Sequence, residues 1–330
     1  MGALFPGAEA QFTEIAEVLR AATKVSVVAH IKPDADAVGS ACGLTAGLRS
    51  LGIDAHVFIG QTYPHPENLL TVPGVEEITY GGQLPEDGLV VTVDCASVDR
   101  TGLFRTQIAD DPSRVVVIDH HETNPAFGAH NLIVDSESTT TIIRELFDYL
   151  SVELDHDMAY CLYSGLVTDT GNFRWGTPRM HQLAGELMGY GLDTRQISLE
   201  LTDKASARDL QIMGGVLADL QNFREEGLKL SVFTIRAEAL ARMSQTTVEA
   251  IIDYARALEG TDVGMVLKQN GPKRWAVSLR SSVIDVSKLA QRFGGGGHVP
   301  AAGYTAHGSQ DMVVRDLIAA LPTREERAAH

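Results

Sequence analysis

The 330-residue chain has no apolar run approaching the roughly 18 residues of a membrane span; runs such as Val115 to Ile118 have the length of a strand. It is also poor in cysteine. Cys42, Cys95 and Cys161 are an odd number without close spacing, which argues against a disulfide framework and for a reducing compartment. The N-terminal stretch has no basic segment ahead of an apolar one, the first basic residue being Arg20, so no secretory leader is expected. Pro6 stands where the myristoylation pattern requires Ser or Thr. These absences together predict a cytoplasmic protein. Cationic charge is scarce too: 27 Lys+Arg against 43 Asp+Glu give a net charge of −16, without a basic cluster. Proteins that grip long duplexes usually carry a basic stripe. Any phosphate-bearing substrate should therefore be short, or have its charge met by metal ions; by itself the acidity serves solubility equally well. No fixed-period repeat and no biased segment is present.

What the chain does have is the ordinary mixture of a folded protein, 44% hydrophobic and 21% charged, at a length that suggests two domains. Its first half alternates β-branched runs with amphipathic stretches, the pattern of βαβ units and a parallel sheet. Strands are expected at 25–29, 56–59, 89–93, 115–118 and 131–134, with helices at 11–22, 37–51, 140–150 and 157–167. Runs such as VVTV and VVVI are continuously apolar, as strands buried on both faces should be. Residues 180–223 read as mostly helical, without a strand-like run. A second mixed unit follows, with strands at 228–234, 263–267 and 275–279, helices at 237–243, 248–258, 286–293 and 312–321, and a GGGGH loop. The fold class is α/β: a doubly wound parallel-sheet domain over 1–190, a helical connector over 191–223, and a smaller mixed α/β domain over 224–330.

The chemistry-bearing residues gather at strand ends. The first strand runs into AHIKPDADAVGS, which places His30, Asp34 and Asp36 within seven residues at its carboxyl end, the edge where open α/β sheets bind ligands. LVVTV ends in Asp94, and VVVI ends in Asp119-His120-His121. A lone Asp at such a place commonly caps a helix. Three strands doing so together would force carboxylates into mutual repulsion unless a cation neutralised them. Asp169 is a fourth acidic candidate, at a helix end where Gly171 could supply a left-handed cap. Two imidazoles and four carboxylates, His30, Asp34, Asp36, Asp94, His120 and Asp169, are too many for one ion and suit two sharing a bridge, with mixed N and O donors pointing to manganese or a relative. Two such ions suit in-line displacement at phosphorus. Near the C-terminus, Gly294, Gly295, Gly296 and Gly297 precede His298 and could form an anion nest or a plain flexible linker. Arg280, at the end of WAVSLR, is either a phosphate partner or half of a surface ion pair.

These segments resemble the DHH family of phosphoesterases, named for the triplet that stands here as Asp119-His120-His121. The likeness rests on HIKPDADAVGS, VDCAS at 93–97, VIDHHETN at 117–124, VTDTGNF at 167–173 and FGGGGHVPAAG at 293–303, and spans nearly the whole chain. It is strongest to a branch that hydrolyses short RNA and linear dinucleotides such as pApA and pGpG to mononucleotides and 3′-phosphoadenosine-5′-phosphate (pAp) to AMP, with some relatives acting on cyclic di-AMP. The resemblance implies two Mn2+ ions, with Mg2+ or Co2+ as substitutes: one held by His30, Asp34 and Asp94, the other by Asp36, Asp94, His120 and Asp169, with Asp94 bridging. It implies further that a hydroxide between the ions attacks phosphorus. Asp119 would orient His120, His121 would stand by the scissile phosphate, and Arg280, the four glycines and His298 would bind the rest of the substrate, in a cleft between the domains. A homodimer is implied as well. Ala35 and Cys95 depart from the pattern at positions that contribute no ligand, and the roles of Ser97 and Arg100 stay open. A RecJ-like single-strand DNA exonuclease, a manganese pyrophosphatase and a non-catalytic nucleotide-binding regulator are the competing readings.

Overall fold

A computed structural model describes residues 3–328. The chain forms two compact units that divide between Asp203 and Lys204. In the first, strands β1 (Lys24–Ala29), β2 (Asp54–Ile59), β3 (Thr79–Tyr80), β4 (Leu89–Val93), β5 (Val115–Asp119) and β6 (His130–Ile133) make one sheet in the order β3-β2-β1-β4-β5-β6. Every pairing in it is parallel. Its helices are α1 (Glu9–Ala21), α2 (Ala35–Ser50), α3 (Arg105–Asp110), α4 (Thr139–Leu150), α5 (His156–Asp169), α6 (Pro178–Met188) and α7 (Thr194–Ser198).

The continuously apolar strands split their side chains between two cores. Val116 and Ile118 join the larger core with residues of α1, α2, α4 and α5. Val115 and Val117 face the other way, onto Phe104 and Ile108 of the α3 region. This two-sided burial is the doubly wound arrangement that the sequence predicts. Helix α2 lies deep in the larger core and is spaced for close approach: an added Cβ would stand 2.3 Å from the Cys161 carbonyl at Gly39 and 2.5 Å from the Phe147 ring at Gly47. These two glycines, eight residues apart, thus let α5 and α4 pack closely against α2. Among the described residues no helix is long and apolar enough to cross a membrane.

The second unit is built on a mixed sheet of β7 (Gln221–Glu225), β8 (Leu228–Ile235), β9 (Val263–Gly271), β10 (Arg274–Ser281), β11 (Gly296–His298) and β12 (Ala301–His307), ordered β11-β12-β10-β9-β8-β7. Only β8 and β9 pair in parallel. Helices α8 (Ala207–Ala218), α9 (Ala237–Leu240), α10 (Gln245–Ala257), α11 (Val286–Gln291), α12 (Gln310–Ala319) and α13 (Arg324–Ala328) complete it. One sheet face packs with α11 and α12, the other with α8 and α10.

Two expectations need correction here. Residues 180–223 are not free of strand, because Gln221–Glu225 pairs with β8. Its composition hides it: only Phe223 is apolar, and the strand is specified by the two-residue turn Glu226-Gly227, both at positive φ, which closes a hairpin. The GGGGH segment is likewise not all loop, since Gly296–His298 pairs with Ala301–Gly303. A Cβ at Gly295 would sit 2.1 Å from the Gly303 carbonyl, so this glycine is needed for close backbone packing.

Candidate metal centre

The strand order reverses between β1 and β4, the switch point at which open α/β sheets bind ligands. His30 follows the last residue of β1, Asp94 the last of β4, and His120 the last of β5. Asp34 caps α2, accepting from Ala37 N at 3.0 Å, and Asp36 lies in the first turn of that helix. Asp169 is the last residue of α5. Six residues scattered over 140 positions are thereby brought to one sheet edge.

Asp94 organises them. Its Oδ2 lies 3.3 Å from Nε2 of His30, and its Oδ1 lies 3.4 Å from Nε2 of His120. Asp34 Oδ2 stands 3.5 Å from the same His30 nitrogen. On the other side, Asp169 Oδ2 is 3.5 Å and Asp36 Oδ2 3.9 Å from Nε2 of His120. The result is two ligand sets that share one carboxylate: His30, Asp34, Asp94 and Asp36, Asp94, His120 each bring their donor atoms within 4.8 Å of one another. The Asp94 backbone takes φ +56°, a left-handed conformation that Asp tolerates better than most residues and that is commonly held at functional sites.

Electrostatics point the same way. Burial and the neighbouring Asp94 charge push the Asp36 carboxyl up to about 7. Burial with the charges of Asp36 and Asp34 raises Asp169 well above the usual range. Burial would raise Asp94 also, but hydrogen bonds from His120 and His30 hold it well below. Burial and the Arg100 guanidinium would lower His30, and Asp34 with Asp94 overcome both to raise it to about 9. Without a cation, Asp36 and Asp169 favour their protonated forms while the imidazoles offset the ionised Asp94. Mixed imidazole and carboxylate donors at these separations fit hard or borderline divalent cations, which would stand where the protons do.

The DHH family N-terminal domain matches residues 24–166, and the DHHA1 domain matches residues 233–321. The bifunctional oligoribonuclease and PAP phosphatase NrnA of Thermus thermophilus is 34% identical over 305 residues, covering 89% of this chain and 88% of that protein. The chain belongs to the DHH family. The Bacillus subtilis protein of the same name is 26% identical over 92% of this chain and 97% of its own. An exopolyphosphatase-related protein from Bacteroides fragilis shares the fold, with a TM-score of 0.81, 22% identity and 98% of both chains covered.

Within the DHH triplet the Asp119 carboxylate has a partner that the sequence reading did not give it, the His121 ring. Asp119 Oδ1 lies 2.8 Å from Nδ1 of His121 and accepts the His120 backbone N–H at 2.9 Å. Asn124 Nδ2 donates to the other oxygen at 2.5 Å. It is the Ser136 carbonyl, 3.2 Å from Nδ1, that orients the His120 imidazole and leaves Nε2 toward the carboxylates. Asp119 thus contacts the His121 ring and the His120 backbone together.

Two further groups of this DHH unit were not singled out from sequence. Thr139 and Thr140, at the start of α4, donate backbone N–H groups to Asp36 at 2.7 and 3.0 Å, so a helix N-terminus holds that carboxylate. The Thr139 hydroxyl donates to Asp94 Oδ1 at 3.2 Å. The signal was the SESTTT run ahead of an apolar helix, a capping sequence whose second service is invisible without the fold. In the DHHA1 unit, Arg280 is half-buried with Nη1 donating to the Leu279 carbonyl at 3.0 Å, and its strand pairs with the Ala301–Gly303 segment that also holds His298 and the glycines.

Proposed function

We propose that the protein is a manganese-dependent phosphoesterase that hydrolyses short RNA and linear dinucleotides to mononucleotides and pAp to AMP and phosphate. The observation that carries this reading is the Asp94 carboxylate, divided between two imidazole-bearing ligand sets at the switch point of the sheet. In it, His30, Asp34 and Asp94 hold one divalent ion, and Asp36, Asp94, His120 and Asp169 the other. When bound, such ions acidify water and neutralise charge on a phosphoryl group. The chain's own residues do the rest. The Asp119–His121 pair fixes the proton on Nδ1 and leaves Nε2 of His121 to handle the proton of the leaving oxygen. Arg280, Gly294 to Gly297 and His298 bind the part of the substrate away from the scissile bond. The family relatives named for oligoribonuclease and PAP phosphatase activity support this substrate class.

The test is purified protein with Mn2+ and, side by side, pApA, a five-nucleotide RNA, pAp, cyclic di-AMP and pyrophosphate, with products separated by chromatography. AMP from pApA and pAp, with mononucleotides from the RNA, is the expected result. Cleavage of pyrophosphate alone, or nucleotide binding without turnover, refutes it. Hydrolysis of cyclic di-AMP would extend the substrate class to cyclic dinucleotides.

A further inference from the structure

Arg100 is a half-buried cation without a carboxylate partner among the described residues, although acidic groups crowd the adjoining centre. The backbone pins it in place: its carbonyl accepts Ile31 N at 2.9 Å, and its own N–H donates to the Ser97 carbonyl at 3.0 Å. A guanidinium carries five N–H donors. Among the described residues this one makes a single side-chain contact, Nη2 to Nδ1 of His30 at 2.9 Å.

That acceptor has another claim on it. Nδ1 of His30 also lies 2.9 Å from the Ile31 carbonyl, and a ring nitrogen either donates or accepts. Accepting from Arg100 would place the ring proton on Nε2, the atom that faces Asp34 and Asp94. A histidine that ligates through Nε2 instead carries its proton on Nδ1 and gives it to a carbonyl, here that of Ile31. The guanidinium is then left without an acceptor on His30, beside a cation site, with all five donors open.

We propose that Arg100 is an anion-binding residue of this centre, whose guanidinium, released as His30 ligates through Nε2, takes non-bridging oxygens of the substrate phosphate. The proposal rests on the phosphoester reading above. It gives the planar fork a partner of matching geometry. It also predicts two effects of opposite sign, because one charge that attracts phosphate repels a divalent ion.

Arg100→Gln and Arg100→Lys separate this role from a mere prop for the His30 ring. Mn2+ binding and inorganic phosphate binding to the Mn2+-loaded protein are measured by calorimetry, with melting temperatures to confirm folding. Loss of the charge in Arg100→Gln should tighten Mn2+ about fivefold and weaken phosphate about tenfold. Arg100→Lys should keep Mn2+ affinity at the wild-type level and recover part of the phosphate binding. Weaker Mn2+ binding in Arg100→Gln would mean that the side chain supports His30, and would overturn the proposal, as would unchanged phosphate affinity. If the expected phosphate effect appears while the wild type cleaves none of the nucleotides, the anion site stands and the substrate reading alone fails.

Discussion

Asp119 Oδ1 lies 2.8 Å from Nδ1 of His121, with the carboxylate fully buried and the imidazole partly exposed. A buried carboxylate on Nδ1 fixes the tautomer and supports positive charge on the ring as it takes up a proton. Asp119→Asn keeps the shape but removes that charge. It should lower kcat by about 10²-fold or more while bound manganese, counted by elemental analysis, stays at the wild-type level. Loss of metal instead would mean that Asp119 acts on His120 after all.

Asp94 is shared between the two ligand sets and Asp34 belongs to one. Asp94→Ala should therefore cost the protein both ions, and Asp34→Ala only one. Metal-to-protein ratios after dialysis against low Mn2+ distinguish the two. Equal ratios in the two variants would refute the bridging role.

Arg280 and His298 belong to the second unit, and neither is among the proposed metal ligands. Arg280→Ala should raise KM for pAp about tenfold with metal content and melting temperature unchanged. A fall in kcat at constant KM would argue that its contribution is made only in the transition state.

The sheet and the gathering of the candidate ligands at its edge were legible because each rests on a local pattern with a strong physical cause. VVVI reads as a strand buried on two faces, and an acid following such a strand falls at the sheet's ligand-binding edge. What escaped was specified by partners distant in sequence. Strand β7 is polar and exists through its hairpin turn. The glycines of GGGGH look flexible, yet Gly295 and Gly297 would meet the carbonyls of Gly303 and Ala301 if they bore side chains. The contact of Asp119 with the His121 ring is a matter of ring orientation, which adjacency in sequence does not encode.

Gly165 on α5 shows how packing and the metal centre are joined. A Cβ there would stand 2.3 Å from Asp36 Oδ1 and 2.5 Å from Thr140 Oγ1. Gly165→Ala should destabilise the fold by about 1–3 kcal/mol and weaken Mn2+ binding, since Asp36 must shift. Gly185 on α6 has nothing within 4 Å of its added Cβ. Gly185→Ala should raise stability by about 0.5–1 kcal/mol and leave Mn2+ binding alone. Chemical denaturation and calorimetry of both variants give the comparison.

The metal-free protein should lose stability as pH rises, opposite to the usual behaviour of a protein rich in paired carboxylates. The Asp36 carboxyl is raised from 3.8 to about 7, so between those values the folded state holds a proton that the unfolded chain has lost. The His30 imidazole is raised from 6.5 to about 9, so its stabilising charge is fully present below 6.5 and lost as pH passes 9. Both make stability fall with pH, across adjoining windows from about 4 to 9. Asp94, held well below 3.8, stays ionised throughout and contributes no slope there. Divalent cations reverse the trend, because binding expels those same protons and strengthens as pH rises. Melting temperatures of chelator-treated protein should decline from pH 5 to 8.5, while the increment produced by Mn2+ grows over the same range. A Mn2+ increment that shrinks with pH would mean that Asp36 and His30 are not ligands.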